Sequence, residues 1–107
     1  MTERRSKPSR LREAALRDID EVTDYYLNEA PHMLAKLEMA ILVACGHVEK
    51  FPGTGSKRYL AGNTEEPLRF WTLNKFPYAI FYFERSHYID IIRMLHQAAN
   101  IPVHLSA

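Results

Sequence analysis

Between Asn74 and Pro102 the chain reads NKFPYAIFYFERSHYIDIIRMLHQAANIP. Two runs rich in aromatic and β-branched residues, Tyr78 to Glu84 and Tyr88 to Leu95, flank a polar break from Glu84 to His87. Side chains of that kind suit a pleated, half-buried surface, and a short polar break between them predicts a β-hairpin. Such a hairpin limits the choice of fold severely, because connections of about four residues permit antiparallel pairing and exclude the longer crossovers of a parallel sheet. Upstream, Leu68, Phe70 and Thr72 alternate with Arg69, Trp71 and Leu73, which predicts another strand, and Asn74 to Pro77 supplies the turn. Lys57 to Leu60 is a further short strand candidate, followed by a polar loop from Ala61 to Pro67.

The first half of the chain has a different period. Ala15, Leu16, Ile19, Val22, Tyr25 and Tyr26 recur at steps of three and four, with acids on the other face, so Glu13 to Asn28 is an amphipathic helix. Pro31 breaks it and starts a second helix, whose apolar set is Met33, Leu34, Leu37, Ile41, Leu42, Val43 and Val48. The Phe51, Pro52, Gly53, Thr54, Gly55 stretch cannot continue a helix. Helices joined by so few residues pack antiparallel. The expected fold class is α+β, an N-terminal helical hairpin on one face of a three- to four-stranded antiparallel sheet.

With 107 residues there is material for one modest core. Met39 to Cys45 is the longest apolar run, far short of the roughly 20 residues of a membrane span. The opening MTERRSKPSR has no apolar signal-peptide core, so a cytoplasmic location and no membrane partner are expected. Cys45 is the only cysteine and has no thiol with which to share a disulfide or zinc; it reads as a buried, inert residue. Six basic residues, Arg4, Arg5, Lys7, Arg10, Arg12 and Arg17, precede an acidic cluster of Asp18, Asp20, Glu21 and Asp24. The basic arm suits either phosphate or an acidic partner, or it is a solvated tail.

No catalytic motif is present. Gly53 and Gly55 precede no helix, no serine sits in a nucleophile elbow, and the histidines His32, His47, His87, His96 and His104 are scattered. The expectation is therefore no catalytic residue, no metal ligand and no cofactor. Cations and an imidazole on the sheet remain: Lys57, Arg58, Arg69, Arg93 and His96. A guanidinium inside a strand pattern must face water, a carboxylate or a partner, because burying it unpaired is costly. Arg69 and Arg93 thus belong to a solvated face, to an internal salt bridge with Asp90 or Glu84, or to a partner-binding surface. His96 is either a group that titrates near neutral pH or a cap bonded to backbone. The aromatics from Trp71 to Tyr88 could stack on bases, although at strand spacing most should be core.

Four segments, LREAALRDIDEVTDYYLNEAP, FPGTGSKRYL, LNKFPYAIFYF and IIRMLHQAANIP, together resemble the ParE/RelE superfamily of toxins from bacterial type II toxin–antitoxin systems. The likeness covers nearly the whole chain after Arg10 and implies one toxin-like domain at 11–107 behind a basic arm at 1–10. The family's short N-terminal strand would fall at Lys7 to Leu11, where basic residues and Pro8 make a poor edge strand.

RelE-like members cut messenger RNA on the ribosome, and the resemblance to them is weak at the positions that matter. Ala79 stands where an arginine is usual, and Gln97 stands at or near the usual basic residue. The ending is closer to the ParE branch, keeping Leu95, His96 and Ala98 but having Ala99 and Asn100 where arginine and aspartate are usual. The ParE resemblance implies a protein that inhibits DNA gyrase by binding, with Arg58, Arg69, Arg93 and His96 as target-binding candidates. It also implies a cognate antitoxin, joined in a hetero-oligomer, that binds an exposed apolar patch beside Tyr25, Tyr26, Leu34 and Leu37. Contact with operator DNA would be indirect, through the antitoxin. The alternatives are a ribosome-dependent messenger RNA endoribonuclease, or a toxin fold with altered or lost toxicity.

Overall fold

The computed structural model describes residues 6–57 and 67–105. Strand β1 (Ser9–Leu11) runs into helix α1 (Glu13–Glu29), and helix α2 (Leu34–Lys50) follows a single 3-10 turn at Pro31–Met33. Both helices end with a single residue left before a proline. Ala30, with φ −151°, precedes Pro31, and Phe51, with φ −130°, precedes Pro52. The proline ring disfavours helical geometry in the residue before it, which is why each helix stops where it does. Strands β2 (Arg69–Thr72), β3 (Tyr78–Glu84) and β4 (Ile89–His96) then form the predicted meander, and a short helix α3 (Ile101–Leu105) ends the described chain. Of the expected Lys57 to Leu60 strand only Lys57 is described, and of the Ala61 to Pro67 loop only Pro67.

The four strands are ordered β1-β4-β3-β2. β2 and β4 each pair antiparallel with β3. β1 pairs parallel with β4, placing Ser9 opposite Ile89 and Leu11 opposite Ile91. The poor strand sequence is accommodated because the strand is short and at the edge, where charge and nearby proline are tolerated. Pro8 contributes its carbonyl to Ile89 N–H at 2.8 Å, so its missing N–H costs nothing. Lys7 anchors the arm by an ion pair with Glu84 at 2.7 Å, and Glu49 at the end of α2 accepts from the Ser9 backbone at 2.9 Å.

The helical hairpin lies on one sheet face, where Ala15, Leu37, Ile41 and Val48 meet Ile80, Tyr82, Ile91 and Met94. The opposite face is buried too: Phe81, Phe83, Ile92 and Leu95 form a second cluster with Leu68 and with Ile101 of α3. Burial on both sides explains why β3 is a continuous apolar run with no alternation. β4 carries a bulge: Phe81 pairs with Arg93 but Tyr82 pairs with Ile91, leaving Ile92 as the extra residue. Ile89 and Ile91 face the helices before the bulge, and Met94 faces them after it. Among the described residues no helix is long and apolar enough to cross a membrane.

Candidate functional site

Helix α2 has more apolar surface than one sheet face can cover. Leu37, Ile41, Ala44, Cys45 and Val48 are buried against the sheet. Leu42 and Val43, expected in the core, are 66% and 58% exposed, and Met39 is 60% exposed. A helix packed on one side buries a stripe little more than a quarter of its circumference, so a run such as MAILVAC must leave part of itself in water. Met39 and Val43 line a groove between α2 and the β2–β3 turn. One half, of about 330 Å³, is bounded by Met33, Ala40 and Phe76; the other, of about 410 Å³, reaches His47 and Trp71. The His47 and Trp71 rings stack at 3.8 Å and form the far wall. Lys75 tops the groove in the left-handed conformation, φ 67°.

The residues expected to meet a partner divide around this groove. Tyr26 is half-buried and sets its ring edge-on to Phe76 at 5.6 Å, so it borders the groove from α1. Tyr25 is exposed and Leu34 half-buried. Leu37 is 0% exposed and forms the core beneath, so it cannot belong to an exposed patch. An apolar run without polar interruption gave no phase by which to tell the buried stripe from the exposed one. The run's length relative to the available stripe was the signal that could have identified Met39, Leu42 and Val43.

The cations expected on the sheet do not converge. Arg93 donates from Nε and Nη2 to Asp18 on α1, at 2.7 and 2.8 Å, and from Nη1 to the His104 carbonyl at 3.2 Å. Its partner is thus Asp18, not Asp90 or Glu84. The Asp18 carboxylate also accepts Met94 N–H at 2.9 Å, satisfying backbone that β1 is too short to reach. Hydrogen bonding to Asp18 pushes the Arg93 pKa further up. Arg69 donates to the carbonyls of Gly53 and Gly55, at 3.1 and 2.9 Å, and pins the loop after α2. His96 accepts Ala98 N–H on Nδ1 at 2.9 Å, the backbone cap that was one of its two readings, and its ring meets Tyr78 edge-on at 5.2 Å. Arg58 lies outside the described residues.

Other polar groups are equally committed. Buried Asp90 accepts from Arg12 at 2.7 Å and from Arg85 at 2.9 Å. Burial pushes its carboxyl up, but the hydrogen bonds from the two guanidiniums outweigh that and hold it below the usual carboxylate range. Tyr82 donates its hydroxyl to the Pro52 carbonyl at 2.7 Å, and burial raises its pKa to about 12. Cys45 is buried, and desolvation lifts its thiol to about 11, far from the thiolate form that reacts. Among the described residues no three His, Cys, Asp or Glu side chains cluster as metal ligands would.

The fold, a helical pair on a four-stranded sheet with a groove along α2, has known counterparts. The family model described as the ParE toxin of the type II toxin–antitoxin system, parDE, matches residues 10–101. The chain belongs to the ParE toxin family. A solved structure described as a chromosomal ParDE toxin–antitoxin system from P. aeruginosa superimposes with a TM-score of 0.66. That likeness covers 85% of this chain and 96% of the other at 18% identity, so it speaks for the shared ParE fold alone. Among curated proteins none matches by sequence. Membership agrees with the family to which the four sequence segments pointed, on the ParE side of the superfamily.

Proposed function

We propose that this ParE-family chain is the toxin of a bacterial, cytoplasmic toxin–antitoxin pair, of the kind that stabilises plasmids. In this reading it inhibits DNA gyrase by binding, without catalysis of its own, and a cognate antitoxin neutralises it. The observation that carries the antitoxin half is the groove of α2, lined by Met39 and Val43, each more than half exposed, with Leu42 equally exposed on the same helix. Contiguous apolar residues displayed on a small protein are characteristic of a surface that a partner covers. An amphipathic antitoxin helix would lay its apolar side chains along Met33, Met39 and Val43, with Lys36 and Lys75 meeting acids at its margins. Tyr25, Tyr26 and Leu34 extend this surface toward α1, while Leu37 supports it from below.

The gyrase half rests on family membership. Of the four target-binding candidates, His96 is exposed at the end of β4, where a large partner can reach it. Arg69 and Arg93 are committed to the fold, and their loss would act through the fold first. Operator DNA would be met through the antitoxin. Purified chain added to a gyrase supercoiling assay tests the proposal: inhibition with accumulation of cleaved DNA, reversed by antitoxin, is expected. Undisturbed gyrase together with cleaved messages on ribosomes would replace gyrase by the ribosome. Undisturbed gyrase and normal growth on expression would identify a toxin fold that has lost toxicity, in keeping with Ala99 and Asn100.

A further inference from the structure

The two halves of the α2 groove have Lys75 in common, and its backbone conformation is one that a lysine does not favour. Its φ of 67° lies in the left-handed region, where a Cβ crowds the following carbonyl. Glycine has no such clash and asparagine tolerates it, yet the asparagine of this turn stands one position earlier, at Asn74. The turn leaves little choice about where the chain reverses. Leu73 N–H donates to the Tyr78 carbonyl and Gln97 N–H to the Pro77 carbonyl, each at 2.8 Å, so both ends are fixed. Phe76 is buried beside Tyr26 and precedes Pro77, which keeps it from helical geometry. We propose, on the reading of the groove as the antitoxin site, that Lys75 selects the occupant by pairing with a carboxylate on an acidic amphipathic helix. The lysine is retained there for that contact, although glycine or asparagine would suit the turn better.

The groove carries positive charge on both banks. Lys36 reaches it from α2 and Lys75 from the β2–β3 turn; both are exposed, and no Asp or Glu side chain lines either half. Neither lysine forms an ion pair with the described residues, whereas Arg12, Arg17, Arg85 and Arg93 all do. Met39, Val43 and Phe76 can take the apolar stripe of many amphipathic helices, so they supply contact without much discrimination. Charges facing each other across an interface choose between partners. From Met33 to His47 the groove follows α2 for about 21 Å, which suits an occupant of roughly four helical turns. Lys36 borders one half of that length, and Lys75 borders both.

Strained backbone positions cluster where a binding site uses them. Here the strain and the unpaired charge belong to the same residue. One substitution should therefore move stability and recognition in opposite directions, whereas a lysine without a recognition role would move stability alone.

The test uses the full-length chain and two synthetic amphipathic helices of about four turns. Both carry leucine and alanine on one face; the other face is glutamate in one peptide and glutamine in the other. At low ionic strength calorimetry should show the glutamate peptide binding about tenfold more tightly, the worth of two exposed ion pairs. Lys75→Asn should cut that preference about threefold and leave the affinity for the glutamine peptide as it was. The same variant should raise the thermal unfolding midpoint by about 2–5 °C, because asparagine relieves the left-handed strain. Lys75→Arg keeps charge and strain alike and should match wild type in both measurements. Lys50→Asn, at an exposed residue outside the groove, should leave the preference unchanged. Equal affinity for the two peptides, a full preference in Lys75→Asn, or a Lys75→Asn midpoint at or below that of wild type would overturn the proposal. If peptide binding is then still abolished by Val43→Glu, the groove stands as a helix site and only the role of Lys75 falls. A chain that binds neither peptide would overturn the helix site together with the role of Lys75.

Discussion

Asp18 on α1 and Arg93 on β4, 75 residues apart in sequence, form a two-point ion pair in which Nε and Nη2 stand 2.7 and 2.8 Å from the two carboxylate oxygens. Both side chains are largely buried, and the same carboxylate holds Met94 N–H. Asp18→Ala leaves a buried guanidinium and a backbone donor without a partner, and should lower stability by about 3 kcal/mol in a urea titration. Asp18→Asn keeps an acceptor and should cost less. If Asp18→Ala unfolded at the wild-type midpoint, the pair would have no structural role.

Asp90 sets an acid limit. Its folded pKa lies below the usual value, so its contribution to stability is fully present above the unfolded value of about 4. The contribution is lost as the pH falls through the folded pKa. Asp90→Asn should therefore be less stable than wild type near pH 7, by urea midpoint, and the gap should narrow near pH 3.

Gly55 and Tyr82 constrain each other. A Cβ on Gly55 would overlap the Tyr82 hydroxyl and crowd the Arg69 Cβ, so Gly55→Ala should cost about 1–3 kcal/mol. Tyr82→Phe alone strands the Pro52 carbonyl, at about 1–2 kcal/mol. In the double variant the overlap with the hydroxyl is gone, although the ring Cζ and the Arg69 Cβ still crowd the new methyl group. Thermal unfolding should show the two losses adding to less than their sum.

On α2, Val43→Glu and Leu37→Ala should give opposite patterns. Val43 is 58% exposed, so the charged substitution should change stability by no more than about 0.5 kcal/mol while weakening antitoxin binding at least tenfold by calorimetry. Leu37→Ala opens the core and should cost about 2–5 kcal/mol. Antitoxin affinity that survives Val43→Glu would remove the groove from the interface.

Both long helices, the β2 to β4 meander and the Asn74 to Pro77 turn could be read in the sequence, because each depends on local periodicity and on proline. The pairing of β1 with β4 could not. Lys7 to Leu11 is poor strand material by itself, and it is held by Glu49, Glu84 and the edge of β4, all distant in sequence. Helix α3 was hidden for a similar reason: five residues carry too little pattern, and Ile101 is buried only because the second sheet face is there to meet it. The Arg93 partner was missed because Asp90 and Glu84 are near in sequence, whereas the bulge at Ile92 and the packing of α1 bring Asp18 to it. The family resemblance implies an antitoxin surface beside Tyr25, Tyr26, Leu34 and Leu37, on α1 and early α2. The structure puts the larger exposed apolar area further along, at Met39, Leu42 and Val43.

The parallel pairing of β1 with β4 also governs when the protein can become whole. Arg12 meets Asp90 across 78 residues, and Lys7 meets Glu84 across 77. A ribosome emitting this chain releases α1 and α2 early, but the sheet on which they pack closes only when β4 has emerged. Closure of so long a loop is slow compared with forming a helix or a hairpin. Until then the apolar faces of both helices stay uncovered, and the nascent chain is a different object from the folded protein.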